Sequence, residues 1–192
     1  MSTDIRSIEA LESLYGSPGE ASLVKVTDHL TPAHRAWIEA AKFCVLTTVG
    51  PEGTDGSPRG DDGPVMAVLD ARTLAIPDWR GNNRLDSLRN IVRDGRVSLM
   101  VMVPGLNNVI RVNGTARLSV DPDLRAGFTK SGKQPTAIIV IEIAEVYSQC
   151  ARAIMRAGLW AGDPAPGLPS VGQMLAEIKQ GFDGAAYDSD WG

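Results

Sequence analysis

The sequence predicts a mainly β fold with flanking helices, most simply a small barrel, and three observations carry that reading. About six β-rich runs lie between Phe43 and Tyr147, divided by turns drawn from 20 Gly and 12 Pro that are spread rather than repeated. One stretch of helical periodicity, Asn83 to Gly95, interrupts them. The run Val109 to Val120 alternates, with Ile110, Val112, Ala116 and Leu118 on one face and Arg111, Asn113, Thr115 and Arg117 on the other.

In chain order, Asp4 to Tyr15 carries Ile5, Ile8, Leu11 and Leu14 at steps of three before Gly16, which predicts a short amphipathic helix with a glycine stop. Thr31-Pro32 opens a second helix, with Thr31 as cap and Trp37, Ile38 and Ala41 as its apolar face. Phe43 to Val49 is a strand ended by the turn Gly50-Pro51-Glu52-Gly53. Pro64 to Asp70 and Leu74 to Pro77 read as two strands joined at Ala71-Arg72-Thr73. The helix that follows is capped at Asn83 and closed by Gly95. Arg96 to Val103 is so nearly continuous in apolar residues that both of its faces are expected to be covered, Leu99, Val101 and Val103 by a second chain. Thr136 to Tyr147 is the last long strand, and a helix is expected from Gln149 to Gly158. The domain is placed at 1–160, barrel plus N-terminal helices; 161–192 is a linker, a short helix at Val171 to Lys179 and a frayed tail.

Composition excludes several classes of function. A hydrophobic content of 43% with 22% charged residues is globular, not disordered. No apolar run approaches the roughly 18 residues of a membrane span, and the start, MSTDIRSIEALE, lacks a secretory pattern. Cys44 and Cys150, both in apolar segments, suit a reducing, cytoplasmic setting. His29 and His34 are the only histidines, so no His/Cys metal site is expected. The net charge of −4 disfavours nucleic acid, yet the chain from 59 to 117 holds nine basic residues, all arginine, against six acidic ones. That local excess points to a discrete anionic ligand.

Three clusters lie in this stretch. Ser57-Pro58-Arg59-Gly60-Asp61-Asp62-Gly63 reads as a polar loop entering a strand, either a solvated turn or a close backbone approach with Arg59 as a two-pronged donor. Pro77-Asp78-Trp79-Arg80-Gly81-Asn82-Asn83-Arg84 joins a strand end to a helix start, either a plain cap or an anion site with Arg84 in its first turn. The polar face of Arg111, Asn113, Thr115 and Arg117 is either solvated or the floor of a site shared with another chain. Other residues read more plainly: Cys44 as a buried small hydrophobe, Cys150 as a thiol with no base nearby, and the histidines as surface residues. Glu142 and Glu145 fall on opposite faces of one strand. The absence of the usual catalytic side chains favours a cofactor that carries the chemistry.

Taken in order, SPRGD, LAIPDWRGNNRLDSLRNI, VPGLNNVIRVNGTARL and QCARAIMRAGLW resemble the pyridoxamine 5′-phosphate oxidase-like flavoproteins, across about Leu14 to Trp160. The resemblance implies an FMN-binding split β-barrel, a homodimer with FMN at the subunit interface, and an FMN-dependent oxidoreductase acting on a small molecule. It places Arg59 on the FMN phosphate, Gly60 and Asp61 along the flavin ring, and Pro77 and Asp78 at the ring and ribityl chain. By the same resemblance Asn83 and Arg84 hold the phosphate, Arg111 lies near the cofactor, and Arg156 and Trp160 close the site from the partner chain. Trp79 narrows the pocket. Arg84-Leu85 replaces the basic pair of the well-studied oxidases, and their C-terminal motif for pyridoxal phosphate is missing, which argues against pyridoxamine phosphate as substrate. The alternative is a non-catalytic protein that binds a flavin, a deazaflavin or haem.

Overall fold

The structure is a computed structural model that describes residues 4–162 and 167–190. The chain divides into two compact units, Met1–Trp160 and Ala161–Gly192. The first opens with helices α1 (Ile8–Tyr15), α2 (Glu20–Val24) and α3 (Pro32–Ala40). Strands β1 (Phe43–Gly50), β2 (Gly53–Gly60), β3 (Ala67–Val68) and β4 (Thr73–Asp78) come next, then helix α4 (Asp86–Arg93). Strands β5 (Arg96–Met102) and β6 (Val109–Ser119), helix α5 (Pro122–Ala126), strand β7 (Ala137–Gln149) and helix α6 (Arg152–Ala157) complete it.

All seven strands form one antiparallel sheet in the order β2-β1-β5-β6-β7-β4-β3, so the mainly β class with flanking helices holds. The inward face is continuous: Cys44, Leu46, Val101, Leu99, Ile110 and Val112 are fully or almost fully buried and belong to one core. Between Asn113 and Gly114 the β6–β7 register slips, leaving Ala144 as the extra residue of a bulge. Ile139, Ile141 and Ile143 face the core before it and Val146 after it. The bulge also turns Glu142 and Glu145 to the same outer side, which corrects the opposite-face expectation. Gly114 is required there, because a Cβ would sit 2.0 Å from the Glu142 carbonyl oxygen.

Several local expectations need correction. The helix α1 begins at Ile8 rather than Asp4, capped by Ser7, whose Oγ accepts from the Ala10 amide, and none of its apolar residues is buried. Thr31 caps α3 as expected, but His34 closes the same cap with its side chain and is half-buried, not a surface residue. Residues 53–60, read in part as loop, are a full edge strand, and only Ala67–Val68 of the expected strand from Pro64 pairs. The strand β5 alternates: Leu99 and Val101 are core, while Met100 on the other face is 40% exposed. The last helix of the unit starts at Arg152, not near Gln149.

The second unit holds α7 (Val171–Ile178) and α8 (Gly184–Ser189), so the tail read as frayed is helical over Gly184–Ser189. The Asp188 carboxylate ties the two together, accepting from the Ser170 hydroxyl at 2.5 Å and the Gly172 amide at 2.8 Å.

Candidate functional site

The ends of β2 and β4 meet although they lie far apart in strand order. On β2 the inward side chains are Asp55, Ser57 and Arg59, opposite Thr48, Leu46 and Cys44 of β1. Arg59 thus enters at the rim of the core and reaches Asp78, the last residue of β4, with Nη1 donating to Oδ1 at 2.9 Å. Both are largely shielded, their side chains 23% and 11% exposed. Burial pushes the Asp78 carboxyl above its ordinary value, and the adjacent guanidinium only partly offsets this. The Nε of Arg59 is buried with no acceptor.

Two clefts open on either side of this pair. The first, about 240 Å³, is bounded by Asp55 to Arg59 of β2, by Asp78, Trp79 and the loop Gly81 to Leu85, and by Asp86 to Leu88 of α4. The second, about 220 Å³, is lined by Pro58, Arg59, Gly60, Asp61, Pro77 and Trp79, among others. Arg59 and Trp79 belong to both. The structure therefore brings together Arg59, Gly60, Asp61, Pro77, Asp78, Asn83 and Arg84.

The helix start differs from expectation. It is Leu85, not Asn83, that stands at the cap position, and α4 begins at Asp86. Asn83 (φ 59) and Leu85 (φ 61) both adopt the left-handed conformation, which Asn tolerates and Leu rarely takes. No side chain caps the helix, so its first amides lack a capping partner, and the first-turn residues Asp86, Ser87 and Leu88 line the first cleft. Arg84 lies outside the first turn, 79% exposed, paired with Asp86. Ser87 is buried and donates to Asp55 at 2.9 Å. Asn90, also buried, donates to Thr48 and fixes α4 on β1.

Asp61 is already engaged: Lys130 bridges it to Asp62, which holds its carboxyl down at about 2. Arg111, Arg156 and Trp160 line neither cleft. Arg111 sits on the outer face of β6, its guanidinium 5.3 Å from the ring centre of Tyr147, with Lys25 at 5.5 Å from the same ring. Arg156 Nε donates to the Arg152 carbonyl at 3.4 Å, and Trp160 Nε1 to the Leu106 carbonyl at 2.9 Å. Cys44 is buried and its thiol is pushed up to about 12 by burial. Cys150 is exposed, its thiol lowered chiefly by the Arg152 amide. The sequence reading missed Asp55 and Ser87; the only signal for Asp55 was its period-two placement with Ser57 and Arg59, and Ser87, on α4, carried none.

Among the described residues no group of three or more His, Cys, Asp or Glu is placed to hold a metal ion. Nor is any described helix long and apolar enough to cross a membrane.

A family model described as pyridoxamine 5′-phosphate oxidase matches residues 30–150. No curated protein matches the chain. Among solved structures, it is similar to a candidate pyridoxamine 5′-phosphate oxidase from Lactobacillus delbrueckii, at 24% identity over 63% of this chain and 95% of that one, TM-score 0.49. It is also similar to the Group A Streptococcus protein HupZ, at 16% identity over 62% and 93%, TM-score 0.48. A third is an FAD binding protein from Mycobacterium smegmatis, at 12% identity over 64% and 97%, TM-score 0.45.

Proposed function

From a chain that belongs to the pyridoxamine 5′-phosphate oxidase family, we propose an FMN-dependent oxidoreductase that acts on a small molecule. The observation that carries the reading is the Arg59 rim: a guanidinium whose buried Nε lacks an acceptor, between two clefts and beside an uncapped helix start. These residues fit a phosphorylated flavin. Arg84 and the first amides of α4 would hold the phosphate, and Arg59 would add a charge-assisted donor. Pro58, Pro77 and Trp79 supply the apolar wall that a planar ring needs. Bound FMN supplies hydride or electron transfer at its ring, and the chain supplies orientation and polarity.

Each cleft is below the roughly 300 Å³ at which enclosing ligand pockets begin. A flavin would therefore extend across both and stay open on one side. We place the missing wall on a second copy of the chain, making a homodimer in which Arg111, Arg156 and Trp160 face the partner's cofactor. The half-exposed Met100 beside Arg111 on the same outer sheet face suits such a contact. A cytoplasmic setting agrees with two free cysteines.

The test is the absorbance spectrum and released-ligand mass of native protein. A yellow protein releasing FMN, reducible by NADH or NADPH with turnover, supports the proposal. A haem Soret band, or a flavin that no donor reduces, favours the binding-protein alternative. A monomer by size-exclusion chromatography at micromolar concentration overturns the shared site.

A further inference from the structure

Asp78 is fixed where it stands. It pairs with Ala137 in the β4–β7 ladder, and its backbone carbonyl accepts from the Thr136 amide at 2.9 Å. Its shielded carboxylate meets Arg59, which comes from the edge strand β2 and commits Nη1, on one side of its planar fork, to Asp78 Oδ1. The buried Nε that lacks an acceptor lies on the other side of the fork. A ligand phosphate received by Arg59 would share the guanidinium with this carboxylate, two anions on one cation.

The other charged groups around the pair have partners or stand apart. In the first cleft Asp55 accepts from Ser87, and Arg84 pairs with Asp86. In the second, Asp61 is held by Lys130. Cys44, opposite Arg59 in the β1–β2 ladder, has its thiol pushed up to about 12 and stays neutral. The strand β7 sets the uncharged Ala137 beside Asp78, and Arg80, two residues along the chain, is exposed. Asp78 is thus the carboxyl that faces Arg59, and burial already raises it above its ordinary value.

While Asp78 is ionised, a phosphate at Arg59 meets a second negative charge across one guanidinium, in a shielded setting that salt screens little. Protonation of Asp78 removes that repulsion and still leaves a neutral oxygen to accept from Nη1. Anion binding at Arg59 therefore favours the protonated carboxyl. By linkage, a proton on Asp78 strengthens anion binding by the same factor.

Resting on the flavin reading, we propose that Asp78 is an internal competitor for the flavin phosphate at Arg59, so that the cofactor binds together with a proton taken up on this carboxyl. The site then regulates its own loading and holds the cofactor more tightly as pH falls from 8 toward 5. The experiment is calorimetric titration of the full-length, flavin-stripped protein with FMN across that range, in two buffers of different ionisation heat, for the native chain and for Asp78→Asn. Asn keeps the acceptor oxygen and copies the protonated carboxyl. The FMN phosphate itself titrates near about pH 6 in both proteins, so the difference between them reads Asp78. At pH 8 the variant is expected to bind FMN about tenfold tighter than the native chain, and the gap to narrow toward pH 5. Between those limits the native chain should take up more protons per FMN than the variant, by up to about one. Asp78→Ser, smaller and equally neutral, replaces Asp78→Asn if the melting curve of the latter shows a damaged fold. A variant that binds no tighter than the native chain at pH 8, a gap that is constant with pH, or equal proton uptake overturns the competitor role and leaves the flavin reading standing. Failure of the native chain to bind FMN at any of these pH values overturns the flavin reading itself, and the role of Asp78 with it.

Discussion

Replacing Arg59 with Met removes the guanidinium and keeps most of the apolar stem, which leaves Asp78 buried without a counter-charge. Breaking a fully buried pair in this way costs about 3–5 kcal/mol, and the partial exposure of Arg59 reduces that to about 2–3 kcal/mol. For a chain of this length the melting temperature should fall by roughly 5–10 °C at pH 8. The sign with pH follows from Asp78, whose folded value is raised above the unfolded 3.8 by burial. The penalty is fully present above the raised folded value, shrinks as pH falls through it, and vanishes below the unfolded value. Melting curves of native and variant protein should therefore converge on acidification from pH 8 toward pH 4. Arg59→Met/Asp78→Asn removes the stranded charge and should regain most of the lost stability at neutral pH. Flavin affinity behaves differently. One lost charge-assisted donor is worth about 1.5–3 kcal/mol, or roughly 10–150-fold, and the second substitution should not restore it. A stability gap that is flat with pH, or a double variant no more stable than Arg59→Met, refutes the account of the buried pair. Recovered flavin binding in the double variant refutes the role given to Arg59.

Three further outcomes follow from other parts of the molecule. Leu46→Ala empties a fully buried position and should cost about 2–5 kcal/mol, seen as a lower urea midpoint at constant m-value; a loss under 1 kcal/mol would deny it a central place. Asp61, held at about 2 by Lys130, contributes stability above the unfolded value of 3.8 that is lost as pH falls through about 2. Asp61→Asn should flatten the acid limb between those values by a small amount, because Lys130 is half exposed, and an unchanged limb would count against the bridge. Of the two thiols, Cys150 should react at once with a disulfide reagent and Cys44 only after denaturation. Two fast thiols would contradict the burial of β1.

Legibility in the sequence tracked what the physics of each element demands. The strands β1, β5 and β7 were readable as β-rich or apolar runs bounded by turns, and β6 by the period-two alternation of its two faces. The strand β2 was not, because Gly53 to Gly60 has the composition of a turn. It is an edge strand that pairs only with β1, so Pro58 costs it no ladder bond, and its inward Asp55, Ser57 and Arg59 serve the clefts rather than the core. The start of α4 was misplaced for a related reason. Asn83 looks like a cap, but Asn83 and Leu85 adopt left-handed backbone, a tertiary outcome that no local preference of Leu signals. The bulge at Ala144 carried no signal in its own side chain; its trace is the shift of large apolar residues from odd to even positions between Ile143 and Val146.

The Arg59–Asp78 pair explains why the site lies where it does. Seven strands in one sheet leave two ends, and a closed barrel would join them by backbone hydrogen bonds along a whole strand. Here the sheet's two edges are β2 and the two-residue β3, which pairs only with Leu74 and Ala75. The end of β4 from Ile76 to Asp78 has no strand partner on that side, and no ladder joins β2 to it. The junction of the two strand ends is made by side chains, an ion pair with cleft on both sides, and backbone bonds from Asp61 to Lys42 and Val65 to Ala41 anchor the chain just beyond β2. A backbone seam would fill that space and leave no donor free. A side-chain seam leaves the gap open and places a guanidinium inside it, with an Nε that the protein itself does not satisfy. The opening in the barrel and the cationic group that recognises an anion are thus the same structural feature. A substitution that closes the seam more firmly should gain stability only by giving up the site.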